Sequence, residues 1–473
     1  MPTLATAATQ VQGKYPGAAI PYNGISINSR TLQPGDLYIA IHGPTHNGHD
    51  YLPQAQQAGA VGTIVSQPQP NSLPQIIVPD TRCALGKLAA AKRTTSNATV
   101  THWIGITGSN GKTTLKAMIS SILGQQHRVH ATPGNLNNDI GLPLTILGWQ
   151  DEPYAVIEMG ANHPGEIAYL TQITRPHIAV LNNAGRAHLE GFGSIAGVAQ
   201  SKAEIIHGIQ PGGVFIYNAD DTYADLWHTL AAAHQINTMT FGVEQTADIY
   251  STQYHNTWQT DGYAATFNVH TAQQHIDIQL PLAGTHNRKN ALAAIAVAET
   301  LGISTHDIQA GLAAMRPEPG RLNTARNPDG AWIIDDSYNA NADSVQAALQ
   351  VLHTAPGRRT LVLGDMTETG PEGSAMHAEI GQMANQLGIE RLYSVGEQSR
   401  HASAGFQRET QHFSDLAQLI ETLRADISAN DSLLIKGSRS SGMEQIVHAL
   451  QTNQHSNRGT RYETSPTTKA LDR

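Results

Sequence analysis

One short run carries the plainest chemistry in the sequence: Gly108-Ser109-Asn110-Gly111-Lys112-Thr113-Thr114. Its glycines let the backbone curl until several N–H groups face one anion, while Lys112 and Thr113 can reach terminal phosphates and a Mg2+. Such a loop is expected to bind ATP or GTP. The usual pattern has glycine where this chain has Ile106, with Gly105 and Gly108 on either side. An ordinary glycine-capped helix start is the competing reading. It loses because Gly-Lys-Thr sits between a strand and a helix, the context that defines a phosphate loop.

That context is legible on both sides. Trp103-Ile104-Gly105-Ile106 reads as a buried strand, and Leu115, Met118, Ile119, Ile122 and Leu123 recur at helical spacing after the loop. From about 100 to 318 strands and helices alternate, the pattern of a mostly parallel sheet with helices on both faces. Ligands of such sheets sit at the carboxyl ends of strands, so Glu158 after Ala155-Val156-Ile157, Asn182-Asn183 after Ile178–Leu181, and Asn218 after Val214-Phe215-Ile216 should converge on the phosphate loop. Glu158 suits a Mg2+ shared with Thr113, because a hard cation takes oxygen ligands. A helix after His188 has an apolar stripe of Ile195, Val198, Ile205 and Ile209, and Lys202 falls on that stripe. An inward lysine with a functional role and a snorkelling lysine covering apolar surface both remain open at this point. Gly284–Asn290 opens another helix whose amides could meet a base or ribose, or merely cap it.

Composition bounds the rest. At 473 residues the chain should divide into about three domains. A net charge of −9 without a basic block argues against a nucleic-acid partner, so an anionic substrate must be met by local Arg, Lys and backbone groups. The single cysteine, Cys83, excludes internal disulfides. No signal-peptide core opens the chain and no apolar run spans a bilayer, so a soluble cytoplasmic protein without membrane insertion is expected. The expected fold is α/β in three domains: a small α/β unit over 1–99, a central P-loop-type mostly parallel sheet over 100–318, and a C-terminal Rossmann-like α/β unit over 319–453. In the last, strands near Trp332–Ile334, Leu361–Leu363, Leu392–Val395 and Leu433–Ile435 alternate with helices. Pro317, Pro319 and Gly320 make a linker between them. Residues 454–473 are polar and patternless and read as a disordered tail.

The motifs TGSNGKTTLK from Thr107, NLNNDIGLPLT from Asn135, VIEMGANHPGEI from Val156, NNAGRAHLEGFGS from Asn182, GTHNRKNALAA from Gly284, DDSYNANADS from Asp335, VLGDMTETG from Val362 and KGSRSSGME from Lys436 together cover much of the chain. In them the sequence resembles the ATP-dependent Mur ligases of bacterial peptidoglycan synthesis, most closely the MurF type, over residues from about 25 to 450. The resemblance implies a ligase that joins D-Ala-D-Ala to UDP-MurNAc-tripeptide with ATP and Mg2+, acting as a monomer. It implies that Gly108 to Thr114 bind ATP, with Lys112 and Thr113 on phosphates and metal. It adds Glu158, His188 and a carbamylated Lys202 as metal ligands, Asn287 and Asn290 near the adenine, and Arg321 and Asp336 reaching phosphate and ribose from the third domain. Ser29, Arg30, Asn137, Asn138, Lys436 and Ser438 are implied to contact substrate. Asn28 stands where family members usually have Asp, which bears on the uridine site.

Activation of a carboxylate as an acyl phosphate, followed by amine attack, would need only neutralised phosphate oxygens and no protein nucleophile. A MurE-type ligase would carry an Asp-Asn-Pro-Arg motif and a GTPase an Asn-Lys-x-Asp motif; neither occurs. A P-loop kinase would need no amine acceptor, and a non-catalytic binding protein would have no reason to keep Lys112, Glu158, His188 and Lys202 together.

Overall fold

The computed structural model describes residues 1–70, 72–95, 101–244, 246–260 and 262–452. The expected domain boundary at 99/100 and the expected tail at 454–473 both lie outside the described residues. No helix among the described residues is long and apolar enough to cross a membrane.

The N-terminal part is built on a small parallel sheet of β1 (Ile25–Ser26), β2 (Leu37–Ile39), β3 (Gly62–Val65) and β4 (Gln75–Ile77), in that order. The central sheet holds β5 (His102–Thr107), β6 (Val129–Ala131), β7 (Tyr154–Glu158), β8 (Ile178–Leu181), β9 (Val214–Asn218) and β10 (Asn237–Phe241). Its order is β10-β9-β8-β5-β7-β6, with every pair parallel. The four inner strands, β9, β8, β5 and β7, are buried along almost all their length because both faces are covered: Ile104 and Ile106 enter a core with Met118 and Ile119, while Trp103 enters another with Leu170 and Val198. The chain leaves β5 toward β6 and β7 on one side and later adds β8 to β10 on the other. This reversal opens a crevice at the carboxyl end of β5, where the phosphate loop lies.

Three strands were not expected. β11 (Tyr250–Gln259), β12 (Gly262–His270) and β13 (His275–Leu280) form an antiparallel sheet. Alternation in His275–Leu280 buries Ile276, Ile278 and Leu280 and exposes the residues between them. β11 is polar on both faces over much of its length, so it carries no comparable signal. The sheet covers the helix Thr285–Thr300, whose run Ala291–Ala298 is buried all round. Along β12, Phe267 and Val269 pack into the central core, whereas Tyr263 and Ala265 pack into the C-terminal one.

The C-terminal sheet orders β14 (Asn323–Arg326), β15 (Trp332–Asp336), β19 (Asp431–Lys436), β16 (Arg358–Gly364), β17 (Arg391–Val395) and β18 (Glu409–Phe413) side by side. Only the edge strand β14 is antiparallel. The helix bearing Lys202 departs from expectation. It spans Ile195–Ala203 and tightens into a 3-10 segment, Glu204–Gly208, although Ile205 still enters the same core as Val198 and Ile209 packs against it. Lys202 is nonetheless 1% exposed.

Candidate active site

A cleft of about 1690 Å3 runs between the three parts of the chain. The phosphate loop forms its floor. Gly108 (φ 151°) and Gly111 (φ 80°) place the loop in backbone conformations that favour glycine. A Cβ on Gly111 would stand 2.6 Å from Asn290 Oδ1 and 2.8 Å from Asn182 Nδ2. The loop is also held from β8: Asn110 N–H donates to Asn183 Oδ1 at 2.9 Å, both asparagine amides donate to Asn110 O, and Gly185 N–H donates to Ser109 Oγ at 2.9 Å. Gly111→Ala combines strain on the order of 1–3 kcal/mol with a clash, so nucleotide affinity measured by titration calorimetry is expected to fall about tenfold or more. Unchanged affinity would remove Gly111 from the nucleotide cradle.

Lys112 starts the helix Lys112–Leu123, and its Nζ donates to Gly108 O at 2.7 Å and Ser109 O at 3.3 Å. Burial, aided by the Arg321 guanidinium, holds its ammonium below the usual lysine range, and Glu158 opposes this. Thr113, one residue on, donates its hydroxyl to Glu158 Oε2 at 3.0 Å. Glu158 is the last residue of β7 and 1% exposed, and its Oε1 accepts from Asn137 Nδ2 at 2.7 Å. The carboxylate and the hydroxyl are hard oxygen donors, a set that fits Mg2+.

The third part of the chain closes the cleft from the other side. Arg321 lines it, its guanidinium 4.3 Å from the Tyr338 ring centroid. Asp336 accepts from Leu322 N–H at 3.1 Å and pairs with Lys436, its register partner on β19, whose Nζ also donates to Asn339 O at 2.9 Å. Asn341 Nδ2 donates to Asn110 Oδ1 at 2.8 Å, while Asn341 Oδ1 accepts from Ser344 N–H as the cap of the helix Ala342–His353. Arg186, from the central part, pairs with Asp343 at 2.7 Å and with Glu379 at 2.8 Å.

Three family models cover the chain in succession: the Mur ligase family catalytic domain over 21–93, the Mur ligase middle domain over 106–298, and the Mur ligase glutamate ligase domain over 320–439. The chain belongs to the Mur ligase family. It is 42% identical over 454 residues to the UDP-N-acetylmuramoyl-tripeptide–D-alanyl-D-alanine ligase of Escherichia coli (strain K12), covering 95% of this chain and 98% of that one. The crystal structure of MurF from Acinetobacter baumannii matches at TM-score 0.88 and 34% identity, over 95% of this chain and 98% of that chain. That of MurF ligase from Thermotoga maritima in complex with ADP matches at TM-score 0.80 and 28% identity, over 91% and 97%. The α/β architecture expected from the sequence is thus the Mur ligase fold.

In this Mur ligase the cleft gathers Ser109 to Thr114, Asn137, Asn138, Glu158, His188, Asn287, Asn290, Arg321, Asp336 and Lys436 from the residues singled out in the sequence. The remaining residues singled out in the sequence are placed as follows. Ser29 is buried, donating to Gln54 Oε1 at 2.8 Å, and Arg30 is exposed; neither lines the cleft, whose N-terminal end is formed instead by Ile27, Ile41 and Gly43–His46. Ser438 is 1% exposed and spends its hydroxyl on Ser440 and Ser441 in the turn after β19. Asn287 and Asn290 bond to each other at 3.0 Å, and Asn290 also accepts from Asn182, so both brace the phosphate loop from behind. His188 turns its Nδ1 to Glu368, and among the described residues no three His, Cys, Asp or Glu side chains stand together as a metal set. Lys202 lies behind the lining, its Nζ donating to Ala161 O at 3.2 Å and 5.1 Å from the Phe192 ring centroid.

Sequence reasoning missed Lys116. It is 6% exposed and 3.5 Å from Glu158 Oε2. The signal was the one that flagged Lys202: Lys116 shares the buried face of its helix with Leu115, Ile119 and Leu123.

Proposed function

We propose that this ATP-dependent ligase joins D-alanyl-D-alanine to UDP-N-acetylmuramoyl-tripeptide, giving UDP-MurNAc-pentapeptide, ADP and phosphate. The observation that carries the reading is the cleft in which the phosphate loop, the Thr113–Glu158 pair and Arg321 face one another, in a chain whose full-length relatives bear that activity in their names.

Roles for the individual residues are proposed on the same reading. Lys112 and the loop amides hold the phosphates of ATP, and Arg321 adds a second cation from the opposite side of the cleft. Thr113 and Glu158 hold Mg2+, with His188 and a carbamylated Lys202 as further ligands. When bound, Mg2+ supplies positive charge beside the phosphoryl group being transferred. The C-terminal carboxylate of the tripeptide takes that group, and the dipeptide amine then displaces phosphate. Closing the third domain over the cleft excludes water, which would otherwise intercept the activated carboxyl.

Phosphate release by the purified chain is expected to require both UDP-MurNAc-tripeptide and D-Ala-D-Ala. Equal release with the dipeptide precursor and a free diamino acid would reassign the chain to the ligase that adds the third residue.

A further inference from the structure

We propose that Lys116 is a positioning residue that sets Glu158 for the metal. The proposal rests on the ligase reading above, since it concerns the Thr113–Glu158 pair assigned there. Lys116 lies one turn beyond Lys112 and three residues after Thr113, on the inner face of the phosphate-loop helix. Its Nζ donates to Thr132 O at 2.7 Å and to Gly134 O at 2.8 Å, and stands 3.5 Å from Glu158 Oε2. Thr132 in turn accepts, at its Oγ1, the backbone N–H of Glu158 at 2.9 Å. The segment that Lys116 grips continues to Asn137, whose amide donates to the other carboxylate oxygen of Glu158 at 2.7 Å.

One ammonium therefore ties together the phosphate helix, the exit of β6, and both routes by which Glu158 is oriented. A fully buried carboxylate without a counter-charge is costly, and so is a buried ammonium without acceptors; here the two carbonyls take the ammonium's hydrogen bonds and the ammonium stands beside the carboxylate as its counter-charge. Without Lys116, Glu158 would keep its hydrogen bonds to Thr113 and Asn137 but lose the cation paired with it at 3.5 Å and the clamp on the segment that brings Asn137 into place. Nucleotide would still meet the loop. The carboxylate would no longer be held where a cation shared with Thr113 needs it.

The test is the gain in affinity that Mg2+ gives to a non-hydrolysable ATP analogue, measured by calorimetry with and without Mg2+. For Lys116→Met the gain is expected to fall at least fivefold, while metal-free affinity stays within about twofold and kcat falls more than the KM for tripeptide. A merely structural lysine would lower both affinities together. If Lys116→Met fails to fold, Lys116→Gln, whose amide keeps N–H donors for the carbonyls, is measured in the same way. An unchanged Mg2+ gain in whichever variant folds overturns the proposal, as does the failure of both to fold. The unsubstituted enzyme separates the two readings: absence of phosphate release with tripeptide and D-Ala-D-Ala refutes the ligase reading, whereas normal release with an unchanged Mg2+ gain in the variant refutes only the role of Lys116.

Discussion

Lys112→Ala is expected to lower phosphate release, at saturating tripeptide and D-Ala-D-Ala, on the order of a hundredfold or more, because one preorganised contact to transition-state charge is worth several kcal/mol. The magnitude follows from where the ammonium sits. It is drawn onto the carbonyls of Gly108 and Ser109, at the heart of the loop, and burial together with Arg321 holds its pKa down. An anion arriving there meets a charge that is weakly solvated and already in place. Lys112→Arg should recover little, since a planar guanidinium cannot reproduce a point charge in a loop this tight. Steady-state kinetics decide: a rate within threefold of the unsubstituted enzyme would take the phosphate loop out of the chemistry.

Lys202→Ala is expected to be nearly inactive and to regain part of its activity when a small carboxylate such as acetate is supplied. Lys202 is 1% exposed, and burial, with Lys112 as a second cause, pulls its pKa to about 7. A lysine at its ordinary value of about 10.4 would be cationic and would repel a metal beside Glu158. At about 7 a large share is neutral amine, the form that could add CO2, and a carbamate formed there would offer anionic oxygens of the kind Mg2+ prefers. Activity should therefore decline as pH falls below about 7 and be restored in part by added bicarbonate. The stability effect has the matching sign. The folded pKa lies below that of the unfolded chain, so the unfolded state binds more protons between the two, and stability should rise with pH from about 7 up to the lysine range. Full activity of Lys202→Ala, or no acetate rescue together with a flat acid limb, would rule the carbamate out.

Several parts of this arrangement could be read from the sequence because local rules force them. Gly-Lys-Thr at a strand-to-helix junction admits few backbones, and Glu158 closes a strand buried on both faces, so its side chain can only emerge at the sheet's carboxyl edge. Lys202 was legible as a polar residue among apolar ones, even though its helix stops at Ala203. What was not legible depends on contacts between distant segments. Arg186 shows nothing in sequence of its partners Asp343 and Glu379. Ser29 and Ser438 sit in motif-like stretches, yet local turns and neighbours absorb their hydroxyls. The alternation in β13 is a legible strand signal, but the strand is antiparallel and falls inside a stretch whose dominant pattern is strand–helix repeats.

Asn341 links two levels of organisation. Its carbonyl oxygen caps its own helix, so the side chain is already fixed in one rotamer before its amide meets Asn110. The rotamer freedom that a free asparagine would surrender on docking is removed when the C-terminal domain folds. The contact between this domain and the phosphate loop is therefore preorganised, and breaking it leaves the helix cap intact. Separating the C-terminal domain from the phosphate loop at this contact would therefore require no helix end to melt and re-form.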